Sequence, residues 1–510
     1  MFLPEVLANT PVTVRLHPSD NVVVAARRVP AGTRLASEGV TTRENIPSGH
    51  KIATEAVAEG APVRKYGQVI GVATADIAPG AHVHLQNLAM SELRQDAGSN
   101  AAWVKKQPAR SFQGYRRASG KTGVRNYIGV LTSVNCSATV ARHIADAAER
   151  SGLLRGFENV DGIVPITHAS GCGMAGSGEG FEILKRTLWG TAANANFGAV
   201  LLVGLGCETM QIDRLKQEYG IADGDAFQSY TIQDVGGTRK AINEGLARLK
   251  AILPMANAAR RAETPASELV LGLQCGGSDA WSGVTSNPAL GNVSDRLAAL
   301  GATVILSETP EIYGAEHLLY ARARAPEVSA KLRERLDWWE HYTRINGAEM
   351  NNNPSPGNKA GGLTTILEKS LGAVAKSGTA PLNEVVEYAA PIRERGLIFM
   401  DSPGFDPASA TGQVASGATM IAFTTGRGSA YGCKPSPSIK LASNSDIYER
   451  MKDDIDVDCG PIARGDATVE EKGEEIFDYL LAVASGKRSK SEELGYGGAE
   501  FVPWQVGAVM

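Results

Sequence analysis

Four of the six cysteines occupy equivalent places in the sequence, each just after an apolar run that is typical of a buried strand. The runs and the cysteines that follow them are 127–134 before Cys136, 162–167 before Cys172, 198–206 before Cys207 and 269–274 before Cys275. Short apolar runs bounded by glycine indicate strands that are buried on both faces. In open α/β sheets, ligands bind outside the carboxyl ends of the strands. We therefore expect strands of one sheet to deliver their thiols to one edge, where they form a functional pocket.

A packing role is the alternative for each of these cysteines, because free cysteine is often buried and packs as a small apolar side chain. Three of the four have glycine directly beside them, which lets the backbone or a ligand approach the thiol closely. Four thiols at the same topological place favour one shared pocket over four separate packing positions.

The composition is that of an ordinary soluble globular protein with several domains. The chain has 510 residues, of which 43% are hydrophobic and 21% charged, and its formal net charge is −4. That charge gives no electrostatic reason to expect nucleic acid or an anionic membrane as partner. Six cysteines are too few for a disulfide scaffold, and no apolar run is long enough to span a bilayer. Met1 is not followed by a secretory pattern, so we expect the protein in the cytoplasm.

Residues 1–92 predict a small all-β module, because short strand-like runs alternate with turn sequences such as Pro30-Ala-Gly and Ala78-Pro-Gly. Four of the eight histidines lie in this module: His17, His50, His82 and His84. His82 and His84 would share one face of a strand, where they could ligate a metal or simply meet solvent. His50 and Lys51 follow a turn, and there they could bind a carboxylate or act as acid and base.

After a polar linker at 93–110, the rest of the chain alternates strand and helix patterns. This alternation predicts two α/β domains with mostly parallel sheets, at 111–262 and 263–510. The first carries Cys136, Cys172 and Cys207, and the second carries Cys275. Two loops of the second are candidate binding loops: 351–362, and 424–429 with Arg427 available for a carboxylate.

Several common motifs are absent. Ser119-Gly-Lys-Thr lacks the first glycine of a phosphate-binding loop and precedes a strand, so we reject it. No Gly-x-Gly-x-x-Gly opens a helix after a strand, and neither Cys-x-x-Cys nor Gly-x-Ser-x-Gly occurs. Dinucleotide binding, zinc ribbons, thioredoxin chemistry and the α/β-hydrolase elbow are therefore unsupported.

Five motifs in order resemble the altronate/galactarate dehydratase family, and 17–87 resembles the β-clip-like SAF module at the front of sugar-acid dehydratases. The motifs are Thr167-His-Ala-Ser-Gly-Cys-Gly, Val203-Gly-Leu-Gly-Cys-Glu, Gln274-Cys-Gly-Gly-Ser-Asp, Asn353-Pro-Ser-Pro-Gly-Asn-Lys and Thr424-Thr-Gly-Arg-Gly. The resemblance covers about residues 12–465. His82-Val-His84 and Tyr313-Gly-Ala-Glu-His317 look more like the altronate branch.

The resemblance implies a hydro-lyase that removes water from C2–C3 of a hexonic or hexaric acid, with altronate giving 2-keto-3-deoxygluconate. It also implies iron as cofactor, either Fe2+ or an iron–sulfur cluster, which thiolates suit. Removing a proton next to a carboxylate creates a dianion that needs nearby cations, together with a base and an acid. A homo-oligomer, such as a dimer, is expected.

These implications give each candidate residue a role. Cys136, Cys172 and Cys207 would hold iron, with Cys275 as an alternative ligand. His168, His50 and Lys51 are the candidates for proton transfer, and the last two would close over the site from the β module. The residues expected to bind substrate are His17, Ser278, Asp279, Asn358, Lys359 and Arg427.

Three other functions remain open from the sequence. The enzyme could act on galactarate, or it could release sulfite from a sulfonated hydroxy acid, because related lyases share this architecture. The chain could also be a non-catalytic protein that binds sugar acids through the β module. Only the enzymes would form a keto acid or sulfite.

Overall fold

The computed structural model describes residues 11–90 and 106–507. The predicted linker at 93–110 lies outside the described residues except for 106–110, and the residues directly after Met1 also lie outside them. Within the described part of the chain, no helix is both long and apolar enough to cross a membrane.

The N-terminal part is an all-β module, as predicted. Its strands are β1 Thr13–Val14, β2 Val22–Ala25, β3 Arg34–Leu35, β4 Val40–Thr41, β5 Lys51–Ala53, β6 Pro62–Lys65, β7 Gln68–Ala73, β8 His82–Val83 and β9 Leu88–Ala89. They form antiparallel sheets in the orders β1-β2-β5-β8 and β6-β7-β9, and a β3-β4 pair. One turn requires glycine: Gly80 has φ +80°, and a Cβ there would lie 2.0 Å from the Thr41 carbonyl oxygen.

The region that follows contains a four-stranded parallel sheet in the order β13-β12-β14-β15. Its elements are β12 Tyr127–Thr132, α1 Ala138–Arg150, β13 Gly162–Ile166, α2 Glu179–Ala192, β14 Phe197–Gly204, α3 Ile212–Tyr219, β15 Phe227–Thr231 and α4 Thr238–Ala258. All six residues of β12 are buried, because helices cover both faces of the sheet. The predicted strands before Cys136, Cys172 and Cys207 are confirmed as three neighbours in one sheet.

The C-terminal region contains a seven-stranded parallel sheet in the order β19-β20-β18-β17-β21-β22-β23. Its strands are β17 Val270–Cys275, β18 Thr303–Leu306, β19 Leu382–Val386, β20 Gly396–Met400, β21 Met420–Thr425, β22 Ser438–Ala442 and β23 Val457–Asp458. Its helices are α5 Ser286–Ala299, α6 His317–Tyr320, α7 Pro326–Ile345, α8 Pro356–Ala360, α9 Ile366–Ala375, α10 Asp406–Ala415, α11 Ser445–Arg450, α12 Pro461–Arg464, α13 Val469–Ala484 and α14 Lys490–Glu493. The mostly parallel α/β fold is therefore confirmed.

A small antiparallel sheet, separate from the two parallel sheets, was not predicted. Its strands are β10 Ser111–Arg116, β11 Thr122–Gly123 and β16 Arg261–Pro265, in the order β11-β10-β16. β10 alternates buried and exposed residues over much of its length, and it is too polar to stand out as an apolar run. Helix α13, near the weakly patterned end of the chain, was also not predicted, although Thr468 and Glu471 form a capping box at its start.

Candidate functional site

The loops that carry Cys136, Cys172 and Cys207 are hydrogen-bonded to one another at the carboxyl edge of the four-stranded sheet. The Asn135 backbone N–H donates to the Ser170 carbonyl oxygen at 2.9 Å, and the Met210 N–H donates to the Gly171 carbonyl oxygen at 3.1 Å. The Ser133 hydroxyl donates to the buried Glu208 carboxylate at 2.6 Å. Each pair of loops is thus joined within a few residues of its cysteines, and the three are held as one unit.

All three thiols are exposed at this edge, which a packing role does not explain. Their sulfur atoms do not all lie within 4.8 Å of one another in this structure. A metal–thiolate bond of about 2.3 Å limits two thiolates on one ion to a separation of at most about 4.6 Å. Among the described residues, the groups of His, Cys, Asp or Glu whose ligand atoms lie within 4.8 Å of one another do not include these three. Thiolates on different irons of a cluster can lie farther apart.

His168 is part of the scaffold of this edge. Its ring Nε2 donates to the Thr132 carbonyl oxygen at 3.0 Å, and its Nδ1 accepts from the Ser170 N–H at 3.2 Å. Burial lowers the pKa of His168 to about 4, so the ring is neutral near pH 7. It lines a cavity of about 600 Å³ between this edge and Phe405 of the C-terminal region. Both nitrogens are occupied, so its proton-transfer role stays a prediction that requires the ring to change partners.

Cys275 lies at the end of β17 in the other parallel sheet, within a buried group of charged side chains. Lys376 contacts the Cys275 thiol at 2.9 Å and the Glu308 carboxylate at 3.2 Å. Lys369 pairs with Glu311 at 2.7 Å. Burial raises the pKa of Cys275 to about 12, so the thiol stays protonated. Cys275 and the two carboxylates have metal-ligating atoms within 4.8 Å of one another, but two ammonium groups already supply the positive charge there.

Glu308 is the unusual member of this buried group. Its backbone is left-handed, with φ 72°, and its Oε1 is buried without a hydrogen-bond partner. Burial, together with repulsion from Glu311, raises the pKa of Glu308 well above its usual value. A strained, unsatisfied acid at the end of a parallel strand is typical of a functional position.

Replacing Asp406, beside this group, by asparagine should change how stability depends on pH. Burial, followed by repulsion from Glu311, raises the pKa of Asp406 to about 6. The folded state thus binds this proton more tightly than the unfolded state, in which aspartate titrates near ~3.9. The favourable contribution is full below about pH 4 and is lost as the pH rises through about 6. Thermal unfolding between about pH 4 and 7 should show wild-type stability falling relative to Asp406→Asn, and a constant difference would contradict this assignment.

The β module is anchored to the C-terminal region by one buried carboxylate on α9. Glu368 accepts hydrogen bonds from the side chains of Lys51 and Lys65, each at 2.9 Å, and all three side chains are almost fully buried. Burial alone would raise the pKa of Glu368, but the two lysines hold it well below its usual value. Lys51 also donates to the Gly362 carbonyl oxygen at 2.8 Å. The predicted closing of Lys51 over the second domain thus corresponds to a fixed contact, and its role in proton transfer stays a prediction.

His50 meets His82 and His84 on one face of the β module. His50 Nδ1 lies 2.9 Å from His82 Nε2, and the ring centroids of the three residues are 4.8–5.4 Å apart. The His50 ring also hydrogen-bonds the backbone of Ala360. Burial, together with the neighbouring histidines and Lys51, lowers the pKa of His50 to about 4 and that of His84 to about 3. We name these three residues the histidine cluster.

The residues predicted to bind substrate fall into two groups. Asp279 and Asn358 are buried and bonded to nearby loops: Asp279 Oδ1 accepts from Ser282 and Ser443, and Asn358 Nδ2 donates to the Ser278 carbonyl oxygen. The second group keeps unused polar atoms. The Ser278 hydroxyl is buried without a partner, and within the described residues Lys359 and Arg427 form no ion pair. His17 is exposed on the module surface beside Ser19, outside the histidine cluster.

Sequence reasoning missed Glu368, Lys65, Lys369 and Lys376. A signal was available, because Glu368 and Lys369 interrupt an otherwise apolar segment, and charged residues in such a segment are rarely buried unless paired. The partners themselves could not be found this way, since Lys51 and Lys65 lie about three hundred positions earlier.

These elements define a multidomain α/β enzyme in which a β module docks beside the carboxyl ends of parallel strands. Thiols, imidazoles and cations that form no ion pair within the described residues lie at or near those strand ends, as in enzymes that bind small polar ligands.

Comparison with known proteins identifies the family. Three family models match in order: the altronate/galactarate dehydratase SAF domain at 11–91, the second domain of D-galactarate dehydratase/altronate hydrolase at 114–257, and the D-galactarate/altronate dehydratase C-terminal domain at 266–509. The chain belongs to the D-galactarate/altronate dehydratase family. The family membership that the sequence motifs indicated is therefore confirmed.

Individual relatives match over most of the chain. A galactarate dehydratase (L-threo-forming) of Escherichia coli (strain K12) is 38% identical over 95% of each chain. An altronate dehydratase of Bacillus subtilis (strain 168) is 34% identical over 94% of this chain and 96% of its own. The (2R)-sulfolactate sulfo-lyase subunit beta of Chromohalobacter salexigens is 31% identical over 77% of this chain and 97% of its own.

Proposed function

We propose that the protein is a hydro-lyase that removes water from C2–C3 of a hexonic or hexaric acid. The favoured substrate is altronate, with 2-keto-3-deoxygluconate as product. The observation that carries this proposal is the position of the loop at 353–362, which the family resemblance associates with substrate and which contacts three other motif-bearing segments.

The contacts of this loop are specific. On the module side, Ala360 hydrogen-bonds the His50 ring, and the Gly362 carbonyl accepts from Lys51. On the sheet side, Asn358 bonds the Ser278 backbone, and a Cβ on Gly361 would lie 2.9 Å from Asp279 and 3.2 Å from Arg427. The module, the Gly-Gly-Ser-Asp turn and the Thr-Gly-Arg-Gly turn therefore surround one loop, as an active site between domains requires.

The chemistry of dehydration suits the groups that remain unpaired there. Abstraction of the proton next to the carboxylate places negative charge on both carboxylate oxygens, and fixed cations stabilise that charge. We assign Lys359 and Arg427 to the carboxylate, because both side chains reach solvent and form no ion pair within the described residues. The buried Ser278 hydroxyl can orient a substrate oxygen.

We assign iron to Cys136, Cys172 and Cys207. Three exposed thiols on loops that are hydrogen-bonded to one another suit thiolate ligation. Their sulfur atoms do not all lie within 4.8 Å of one another, which favours an iron–sulfur cluster over Fe2+. Iron held there would act as a Lewis acid for an oxygen of the substrate. The chain's own contribution is rigidity: Glu208 accepts from the Ser133 hydroxyl and from the Leu205 and Gly206 N–H groups, and so fixes the loop before Cys207.

Two sequence features favour altronate over galactarate. His82-Val-His84 and Tyr313-Gly-Ala-Glu-His317 resemble the altronate branch, and His82 and His84 belong to the histidine cluster near the loop. Overall identity does not favour altronate, because the galactarate dehydratase is 38% identical and the altronate dehydratase 34% identical. Sulfite release is the second candidate, since a sulfo-lyase subunit is also a relative.

Protein purified without oxygen should convert altronate to a keto acid, and it should turn over altronate faster than galactarate by at least about tenfold. Iron and acid-labile sulfide are counted on the same sample. The assay detects keto acid from each sugar acid, and sulfite from (2R)-sulfolactate.

The outcomes separate the candidates. Faster turnover of galactarate would reverse the substrate assignment, and sulfite without keto acid would indicate a sulfo-lyase. Iron with equal sulfide would support a cluster, whereas iron without sulfide would indicate a single ion. If iron-reconstituted protein forms neither keto acid nor sulfite, the non-catalytic binding function becomes the favoured one.

A further inference from the structure

The register of two strands brings the histidine cluster together. In the antiparallel pair β5–β8, Lys51 lies opposite Val83 and Ile52 lies opposite His82. One step farther along this register, His50 lies opposite His84. Directly opposed residues and residues two apart share a face of the sheet, so the three rings point to the same side.

The cluster has the geometry of a metal site. One nitrogen from each ring lies within 4.8 Å of the others, as for ligands that surround a single ion. A neutral imidazole presents one lone pair, and three such groups form the protein part of many transition-metal sites. Among the described residues, no ion pair joins a carboxylate to any of the three rings, and Glu44 accepts from the backbone N–H of His82 rather than from its ring.

A second observation points to a missing ligand. His84 Nδ1 is buried and has no hydrogen-bond partner. Buried polar nitrogens nearly always have a partner, so an unsatisfied one in a ring that lies beside two other imidazoles is explained by an ion bound among the three rings.

The surroundings hold the rings in place as ligands require. His50 bonds the backbone of Ala360, which is the kind of second contact that orients a ligating histidine. The backbone around the other two is braced, because the His82 N–H donates to Glu44 and its carbonyl accepts from Asn87, while the His84 N–H donates to the Asn87 side chain. The turn after β8 is therefore fixed before any ion binds.

We propose that His50, His82 and His84 bind one divalent first-row transition-metal ion, which has an open coordination position toward the loop at 353–362. The ion takes an oxygen ligand, in the first place a carboxylate or hydroxyl of the sugar acid, and this assignment of its ligand rests on the proposed function. The site is separate from the three thiols. It makes His50 a metal ligand, and proton transfer then requires another group.

Cobalt titration of the full-length, chelator-treated protein tests the site. The other substitutions are made in a parent protein that carries Cys172→Ala, because this change leaves the three-thiol site incomplete. The parent should bind one Co2+ with the visible absorption of nitrogen-ligated cobalt. His82→Gln and His84→Gln should each weaken that binding by about 100-fold or more, because each removes a ligand. His341→Gln is the control, since it alters an exposed histidine of α7, outside the β module, and should leave affinity unchanged.

Thermal unfolding shows that the variants are folded and adds a second readout. Co2+ should raise the unfolding midpoint of the parent and of His341→Gln but not that of His82→Gln or His84→Gln. Equal cobalt affinity in all four proteins would overturn the site. Cobalt bound through the histidines of the parent, together with no dehydration of any sugar acid by iron-reconstituted wild-type protein, would support the site and refute the proposed function. Dehydration by wild-type protein that binds no ion at the histidines would refute the site and support the proposed function.

Discussion

Replacing Cys172 by alanine is expected to remove the bound iron and abolish dehydration. The thiol is exposed, and its loop is held by backbone hydrogen bonds to the loops of Cys136 and Cys207. Those bonds do not involve the side chain, so the variant should fold normally. Loss of one of three thiolates leaves an incomplete site, and turnover should fall by at least about 100-fold. Iron content and keto-acid formation are measured together on protein purified without oxygen.

Cys433→Ala is the matched control for this prediction. Its thiol is buried near Ser436 and Ser438 in the C-terminal region, away from the three loops. The variant should keep wild-type iron content and turnover. If Cys172→Ala instead retained both iron and full activity, the assignment of the three cysteines would be wrong and packing would be the better account of their positions.

Replacing Glu368 by glutamine should release the β module from the C-terminal region. The change leaves the ammonium groups of Lys51 and Lys65 buried without an anion, and breaking a buried charge group in this way costs about 3–5 kcal/mol. The first unfolding transition should shift to lower temperature. Hydrogen exchange of β5 and β6 should rise by a comparable free energy, because the docked state no longer protects them.

Two further variants make the test specific. Glu449→Gln removes an exposed ion pair with Lys452 and should cost less than about 1 kcal/mol. Adding Lys51→Met and Lys65→Met to Glu368→Gln removes the stranded cations and should restore part of the lost stability. A wild-type first transition in Glu368→Gln would show that the carboxylate does not anchor the module.

Much of the fold could be predicted because its strands are buried on both faces. Such strands appear as continuous apolar runs, and β12, β14, β17 and β21 were identified in this way. β10 was missed because one side of it is exposed and its sequence, Ser-Phe-Gln-Gly-Tyr-Arg, is mostly polar. β10 is a strand because it pairs with β16, which lies more than a hundred positions later. The sequence pattern around β10 does not indicate that partner.

The sequence predicted the site residues that lie at the ends of parallel strands. It did not predict the contacts that depend on how the β module packs and docks on the C-terminal region. Cys136, Cys172 and Cys207 were placed at one edge because parallel neighbours share their direction. The pairing of His82 with His84 on one face was also expected. The addition of His50 depended on the β5–β8 register, and the burial of Lys51 depended on Glu368 in another domain. Neither relation leaves a periodic signal in the sequence.

The anchoring of the module by Glu368 also orders events during synthesis. Lys51 and Lys65 are made 317 and 303 positions before their carboxylate partner. At 5–20 residues per second, the wait is roughly 15–60 s. Until Glu368 has been made, neither lysine has its anion, so this contact cannot fix the module to the C-terminal region early in synthesis. The module is therefore expected to fold first and to dock late.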